Sequence, residues 1–209
     1  MSLPWRRLGS VLGFVLGAGC LLYAGYIPAK AWLAQVLLEA AWQRTLTGVP
    51  DPRPWPWADT QPLARLSQAR LGVNQIVLAG SSGRVLAFGP GHIPGTARPG
   101  QSGNVVLVGH RDTHFAWLQD LRRGDKLVLQ DADRNVLRFV VVQKAVHHEA
   151  DLDLLDPLAP PQLRLVTCYP FDAIRPGTPW RYVVTAALSD TAHAAMDGLP
   201  PGMTGRPTH

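Results

Sequence analysis

The chain opens on an uncharged run, Leu8 to Ile27, that includes Val11, Phe14, Val15, Leu16, Leu21 and Leu22. Its length is that of a helix crossing a bilayer. Arg6 and Arg7 precede it and Lys30 follows. The positive-inside rule therefore puts the N-terminus in the cytoplasm and the rest of the chain outside, with Lys30 working against the bias. A cleaved signal peptide is the competing reading. Tyr23, Tyr26 and Trp32 crowd the region where cleavage would fall, which favours an uncleaved anchor. From Pro28 to Gly48 the period changes: Trp32, Leu33, Val36, Leu37, Ala40 and Ala41 recur at helical spacing. Pro28 suits a first turn and Gly48 a stop, so the spacing predicts a separate juxtamembrane helix.

Val49 to Pro62 carries Pro50, Pro52, Pro54, Pro56 and Pro62, with Trp55 and Trp57 between them. Such a linker is stiff and extended. Its tryptophans either dock on the following domain or sit at a membrane interface. From Leu63 the pattern turns to short apolar runs separated by turn residues. The runs predict strands at Ala64–Leu66, Gln75–Ala79, Val85–Phe88, Asn104–Val108, Lys126–Leu129, Val136–Val146, Leu163–Thr167 and Tyr182–Leu188. Eight short strands imply an all-β domain closed, or nearly closed, into a barrel. Phe115 to Leu118 reads as one helical turn, and Asp190 to His209 as a Pro/Gly/Ala-rich mobile tail.

Composition narrows this further. A chain of 209 residues has room for one domain and an appendage, and 19 prolines with 20 glycines favour a turn-rich β architecture. The net charge of +5 is scattered, with no Lys/Arg block. That fits an anionic membrane or wall surface and gives no support for nucleic-acid binding.

Candidate chemistry lies at strand ends. Cys168 ends Leu163-Arg164-Leu165-Val166-Thr167 and is followed by Tyr169-Pro170-Phe171; His110 ends Val105-Val106-Leu107-Val108-Gly109; Arg181 opens Tyr182-Val183-Val184. A thiol, an imidazole and a guanidinium so placed suggest a nucleophile, an acid/base and an oxyanion stabiliser. The bland alternative is a buried, inert cysteine. Cys20, in the apolar segment, is no disulfide partner for Cys168. His110 and His114 have the four-residue spacing of a helical metal pair, but His110 ends a strand and no glutamate lies between them, so no metal site is expected. Asp112 reads as a helix cap, Asp131 and Asp133 as hairpin-turn residues, and His147 and His148 as surface residues near a strand end. His92 follows Gly91 in a loop and either lines a groove or has a solvent-exposed or structural role.

These residues resemble the sortases, cysteine transpeptidases of bacterial surfaces. The strings that carry the likeness are Val166-Thr167-Cys168, Gly109-His110 and the strand-opening Arg181. Phe88-Gly89-Pro90-Gly91-His92, Pro99-Gly100, Gly103-Asn104, Gly109 to Phe115 and Thr167 to Phe171 follow in the order of the class D and Gram-negative (class GN) branches. The resemblance covers 63–188 and implies an eight-stranded sortase-type β-barrel there; the residue pattern puts an anchor at 1–30 and a juxtamembrane helix and linker at 31–62 before it, and a tail at 189–209 after it. The resemblance also implies catalysis by His110, Cys168 and Arg181, with His92, Tyr169 and Arg175 against substrate. Arg175 and Arg181 both follow Cys168, and Arg181 is preferred because it opens the next strand. The implied partner is a client surface protein with an LPxTG-like sorting signal, joined to an unidentified amine without a cofactor. The implied location is the plasma membrane, with the domain on the periplasmic side. A cysteine protease that only hydrolyses and a non-catalytic peptide-binding barrel are the alternatives.

Overall fold

The computed structural model describes residues 4–151, 153, 156, 160–173 and 177–189. The opening apolar run and the expected juxtamembrane helix are one element, α1, Pro4–Leu46. At 1.5 Å per residue it is about 65 Å long. Pro28 lies inside it and does not divide it. A proline removes one ladder bond and crowds the preceding turn, which can kink a helix without ending it. Within Gly9–Leu46, α1 has an apolar, unburied stretch long enough to cross a membrane.

The far end of α1 is tied to the domain that follows. Leu38 and Trp42 are fully buried and pack with Ile76, Leu78 and Val85. Arg65 reaches both carboxylate oxygens of Glu39 at 2.6 and 2.7 Å and lies 5.8 Å from the centre of the Trp42 ring. Gln35 donates to Phe88 O at 2.9 Å, and Arg134 donates to Leu46 O at 3.0 Å.

The domain is a closed barrel of eight strands: β1 (Pro62–Gln68), β2 (Val73–Ala79), β3 (Gly91–His92), β4 (Asn104–Val108), β5 (Lys126–Asp131), β6 (Val136–His148), β7 (Gln162–Tyr169) and β8 (Trp180–Leu188). Their order around the wall is β1-β2-β3-β4-β7-β8-β6-β5. Seven lie where the alternation places them, most with longer ends. Where a strand was expected at Val85–Phe88, the chain instead forms a short helix, α2, Gly83–Leu86, followed by a turn. Ser82 caps it, its Oγ accepting from Val85 N at 3.4 Å, and Val85 turns inward onto Leu38 and Trp42. The strand at that point of the wall is the two-residue β3, which pairs with β2 in parallel and β4 in antiparallel fashion. The helical turn after His110 is a 3-10 helix, Ala116–Asp120.

Alternation along the strands sends one face into the core. Leu163 and Leu165 of β7, Val184 and Ala186 of β8, and Leu127 and Leu129 of β5 are buried together with Phe115 and Phe139. The intervening residues of β4, β7 and β8 build a second apolar strip, Val106, Val166 and Val183, with Ile93 and Val108 against it.

Candidate active site

Strand direction gathers the proposed site at one end of the barrel. β4 and β7 run parallel, with Val108 opposite Val166. Both chains therefore leave the sheet at the same end, and His110 and Cys168 each lie two residues beyond that pair. β8 is antiparallel to β7, so its first residues return there. Cys168 and Arg181 are direct cross-strand partners. Residues directly opposite on neighbouring strands share a face, with Cβ atoms about 4.5–5.5 Å apart.

His110 is held by its surroundings. Gly109 N donates to Val166 O at 3.2 Å, and Thr167 Oγ1 donates to Gly109 O at 2.7 Å. The loop after β4 is thus fastened to the residues immediately before Cys168. A side chain at position 109 would put its Cβ 2.9 Å from the Phe115 ring, which explains the glycine. Phe115 is fully buried, and its N donates to His110 O at 2.9 Å. Arg111 crosses to the turn beyond Cys168, donating to Ala173 O at 2.7 Å. The His110 side is exposed and Cys168 is half-buried.

Arg181 is held on one side and open on the other. Its Nη1 donates to Thr178 O at 2.6 Å and to Trp180 O at 3.0 Å. Its Nη2 donates to the Glu149 carboxylate. Glu149 N in turn donates to Pro179 O at 2.8 Å. A guanidinium has five N–H groups. Three are used here, which leaves Nε–H and one Nη2–H without a partner among the described residues.

Glu149 was not singled out by the sequence, and neither was the position of His147. β6 runs on to His148, which puts His147 opposite Arg181 and His148 opposite Trp180. The His148 ring meets Trp180 edge-on with centroids 5.2 Å apart. The histidine pair is half-buried on the Arg181 side of the barrel end, where a plain surface position was expected.

Two hollows flank this end. A cleft of about 580 Å³ is lined by Arg111, Asp112, Ala116, Gln119 and the turn from Tyr169 to Asp172. Tyr169 stacks on Tyr182 at 6.2 Å and meets Phe171 at 6.3 Å, so it forms an aromatic wall beside Cys168. A smaller hollow, about 250 Å³, lies under His147, Asp151, Asp153 and Arg164. His92 is elsewhere in its bonding. It is buried, with Nε2 2.9 Å from Ala97 O and 3.0 Å from Thr96 Oγ1, and it braces its own loop. A groove-lining role for it has no support in this geometry. Burial pulls its pKa below the usual histidine value; the Ala97 carbonyl opposes this and the Arg98 charge adds to it. His114 is lowered in the same sense, mainly by burial, with the Ala87 backbone opposing and the His110 charge adding. Arg175 lies outside the described residues.

Residues 67–189 match the sortase domain family. The chain belongs to the sortase family. Sortase D of Bacillus subtilis (strain 168) is 31% identical over 108 residues, covering 52% of this chain and 54% of that protein. The chain thus spans about half the length of this curated relative. A sortase D5 transpeptidase of Clostridium perfringens superposes with a TM-score of 0.54 at 25% identity, over 62% of this chain and 79% of that one. A variant of sortase E from Streptomyces avermitilis does so with a TM-score of 0.52 at 32% identity, over 61% and 87%. Sortase A from Corynebacterium diphtheriae, at 24% identity and a TM-score of 0.57 over 75% and 84%, shares the fold. Sortases are transpeptidases that act on surface proteins carrying sorting signals, and the class D likeness fits this chain.

Proposed function

We propose that this sortase cleaves an LPxTG-like sorting signal and transfers the acyl part to an amine, with Cys168 as nucleophile, His110 as acid/base and Arg181 as oxyanion donor. The observation that carries the reading is the direct pairing of Cys168 with Arg181 at the barrel end to which Gly109 fastens His110. His110 takes the proton of the Cys168 thiol, and the thiolate attacks the carbonyl carbon of the signal, forming an S–C bond. The Nε–H and Nη2–H edge of Arg181 meets the oxyanion that develops. The C–N bond then breaks, and His110 gives its proton to the departing amine. An incoming amine loses its proton to His110 and attacks the thioester, expelling the thiolate and forming a new amide. Water in place of the amine gives hydrolysis.

α1 anchors the enzyme in the plasma membrane, with the barrel outside the cytoplasm. Tyr169, on the wall of the cleft beside Cys168, contacts the bound signal.

The test is mass spectrometry of the full-length protein incubated with a sorting peptide. Wild-type protein and Cys20→Ala accumulate the acyl adduct, and Cys168→Ala does not. An added amine converts the adduct to an amide product. Adduct formation by Cys168→Ala overturns the mechanism, and hydrolysis that is indifferent to amine supports the protease alternative.

A further inference from the structure

The linker tryptophans divide. Trp55 packs edge-on against Phe88 with centroids 4.9 Å apart, whereas Trp57 is 82% exposed, as open as Phe14 within the apolar span. Around them lies an apolar groove of about 320 Å³, lined by Lys30, Leu33, Ala34 and Leu37 of α1 and by Trp55, Trp57 and Phe88. Leu33 in its wall is exposed, and so is the preceding Trp32. An isolated exposed apolar side chain needs no explanation, but a contiguous aromatic patch of this kind marks a contact surface.

Position along α1 identifies the occupant. The helix continues unbroken from the span into the barrel. Ala34 is buried, and Gln35 already bonds Phe88 O. From Ile27, the last residue of the uncharged run, to Ala34 the rise is about 10 Å. The headgroup layer on one side of a bilayer is roughly 5–8 Å thick. Lys30, about 4.5 Å beyond Ile27, therefore lies within that layer and Ala34 just above it, so the groove opens among the headgroups and the near edge of the barrel rests on them. Tryptophans are favoured there because an apolar ring body and a polar N–H suit the boundary, and Lys30 can extend its ammonium to the headgroups.

We propose that this groove and Trp57 form a lipid-docking surface: phospholipid of the membrane crossed by α1 fills the groove and holds the barrel flush on the bilayer. The proposal rests on the anchoring part of the functional reading. It commits to lipid, because the groove is continuous with the span and shares its exposure.

The experiment uses the full chain, with Cys20→Ala and Cys168→Ala, reconstituted in phosphatidylcholine/phosphatidylglycerol vesicles. A fluorophore is attached at Asp59→Cys, two residues beyond Trp57. A control fluorophore is attached at Asp133→Cys, beside Arg134, which bonds Leu46 O. Leu46 lies about 28 Å beyond Ile27 along the helix. Nitroxide lipids spin-labelled near the top of the acyl chain should quench the Asp59 label strongly and leave the Asp133 label bright. Trp57→Asp should abolish the quenching while leaving peptide turnover in detergent unchanged in an otherwise wild-type chain. Alkaline carbonate extraction separates the two readings. Protein retained in the membrane with an unquenched Asp59 label overturns lipid docking alone. Protein released by carbonate overturns anchoring and docking together. Quenching that appears only at high protein density, or only when a client peptide is added, overturns lipid in favour of a second copy or a client.

Discussion

Replacing Arg181 by lysine separates charge from shape at the proposed oxyanion site. In the resting structure the guanidinium spends Nη1 on Thr178 O and Trp180 O and part of Nη2 on Glu149. Its remaining Nε–H and Nη2–H are fixed in a rigid plane. Lysine has a single nitrogen with three donors on a flexible stem. It cannot hold the two carbonyls and the carboxylate and still present two fixed donors to a tetrahedral intermediate. Removing one oxyanion donor costs a factor of about 100 to 1,000 in kcat, or about 2.7–4 kcal/mol. Arg181→Ala should therefore fall near the upper end and Arg181→Lys near the lower end. Stability should hardly change in either, because the ion pair with the half-exposed Glu149 is worth only about 0–1 kcal/mol. The assay is turnover of a fluorogenic sorting peptide with saturating amine, with urea unfolding as the control. Arg175→Ala should be milder than either variant. Wild-type kcat in Arg181→Lys would refute the shape argument. Wild-type kcat in Arg181→Ala would remove the oxyanion assignment, and a dead Arg175→Ala beside it would move the role to Arg175.

Glu149→Gln keeps an acceptor for Arg181 but loses the charge, so kcat should fall by roughly fivefold, the equivalent of about 1 kcal/mol, with KM little changed; an unchanged kcat would show that the carboxylate does not position the guanidinium. Trp42→Ala should destabilise the protein by about 3–5 kcal/mol, because Trp42 is fully buried between α1 and the barrel; Trp42→Phe should lose much less, and equal urea midpoints for all three proteins would contradict the docking. The acid limb of stability should come partly from His92 and His114, whose folded pKa values are depressed chiefly by burial. Their neutral forms favour folding above the unfolded value of about 6.5, and that contribution is lost as pH falls through the lower folded values. Urea midpoints between about pH 7.5 and 5.5 should drop less in His92→Gln than in wild type, and identical slopes would remove His92 from the account.

Much of this barrel was legible because period-2 alternation is local. β4, β7 and β8 announce themselves by apolar runs, and Cys168, His110 and Arg181 stand at their ends. What escaped the sequence was decided by neighbours distant along the chain. Val85 to Phe88 has the composition of a strand, yet Ser82 caps a helical turn there and the buried Leu38–Trp42 surface of α1 takes up Val85. The two-residue β3 is too short to produce any alternation and exists through its pairing with β2 and β4. Pro28 looked like a boundary because one proline is a strong local signal, but α1 runs through it without a break. Glu149 carries no motif and becomes visible only when closure of the barrel brings the end of β6 beside the start of β8. The two tryptophans of the linker are chemically alike in sequence, and only the position of Phe88 divides them into one that packs and one that faces outward. The same logic orders the site itself. Its three proposed catalytic groups come from chain segments that meet because β4 and β7 are parallel and β8 returns antiparallel. A site built that way depends on the register of the sheet more than on any loop. A one-residue slip of β8 against β7 would turn Arg181 to the opposite face from Cys168. The buried alternation of Leu163, Leu165, Val184 and Ala186 is what forbids that slip, so the core that closes the barrel also fixes the pairing on which the proposed chemistry rests.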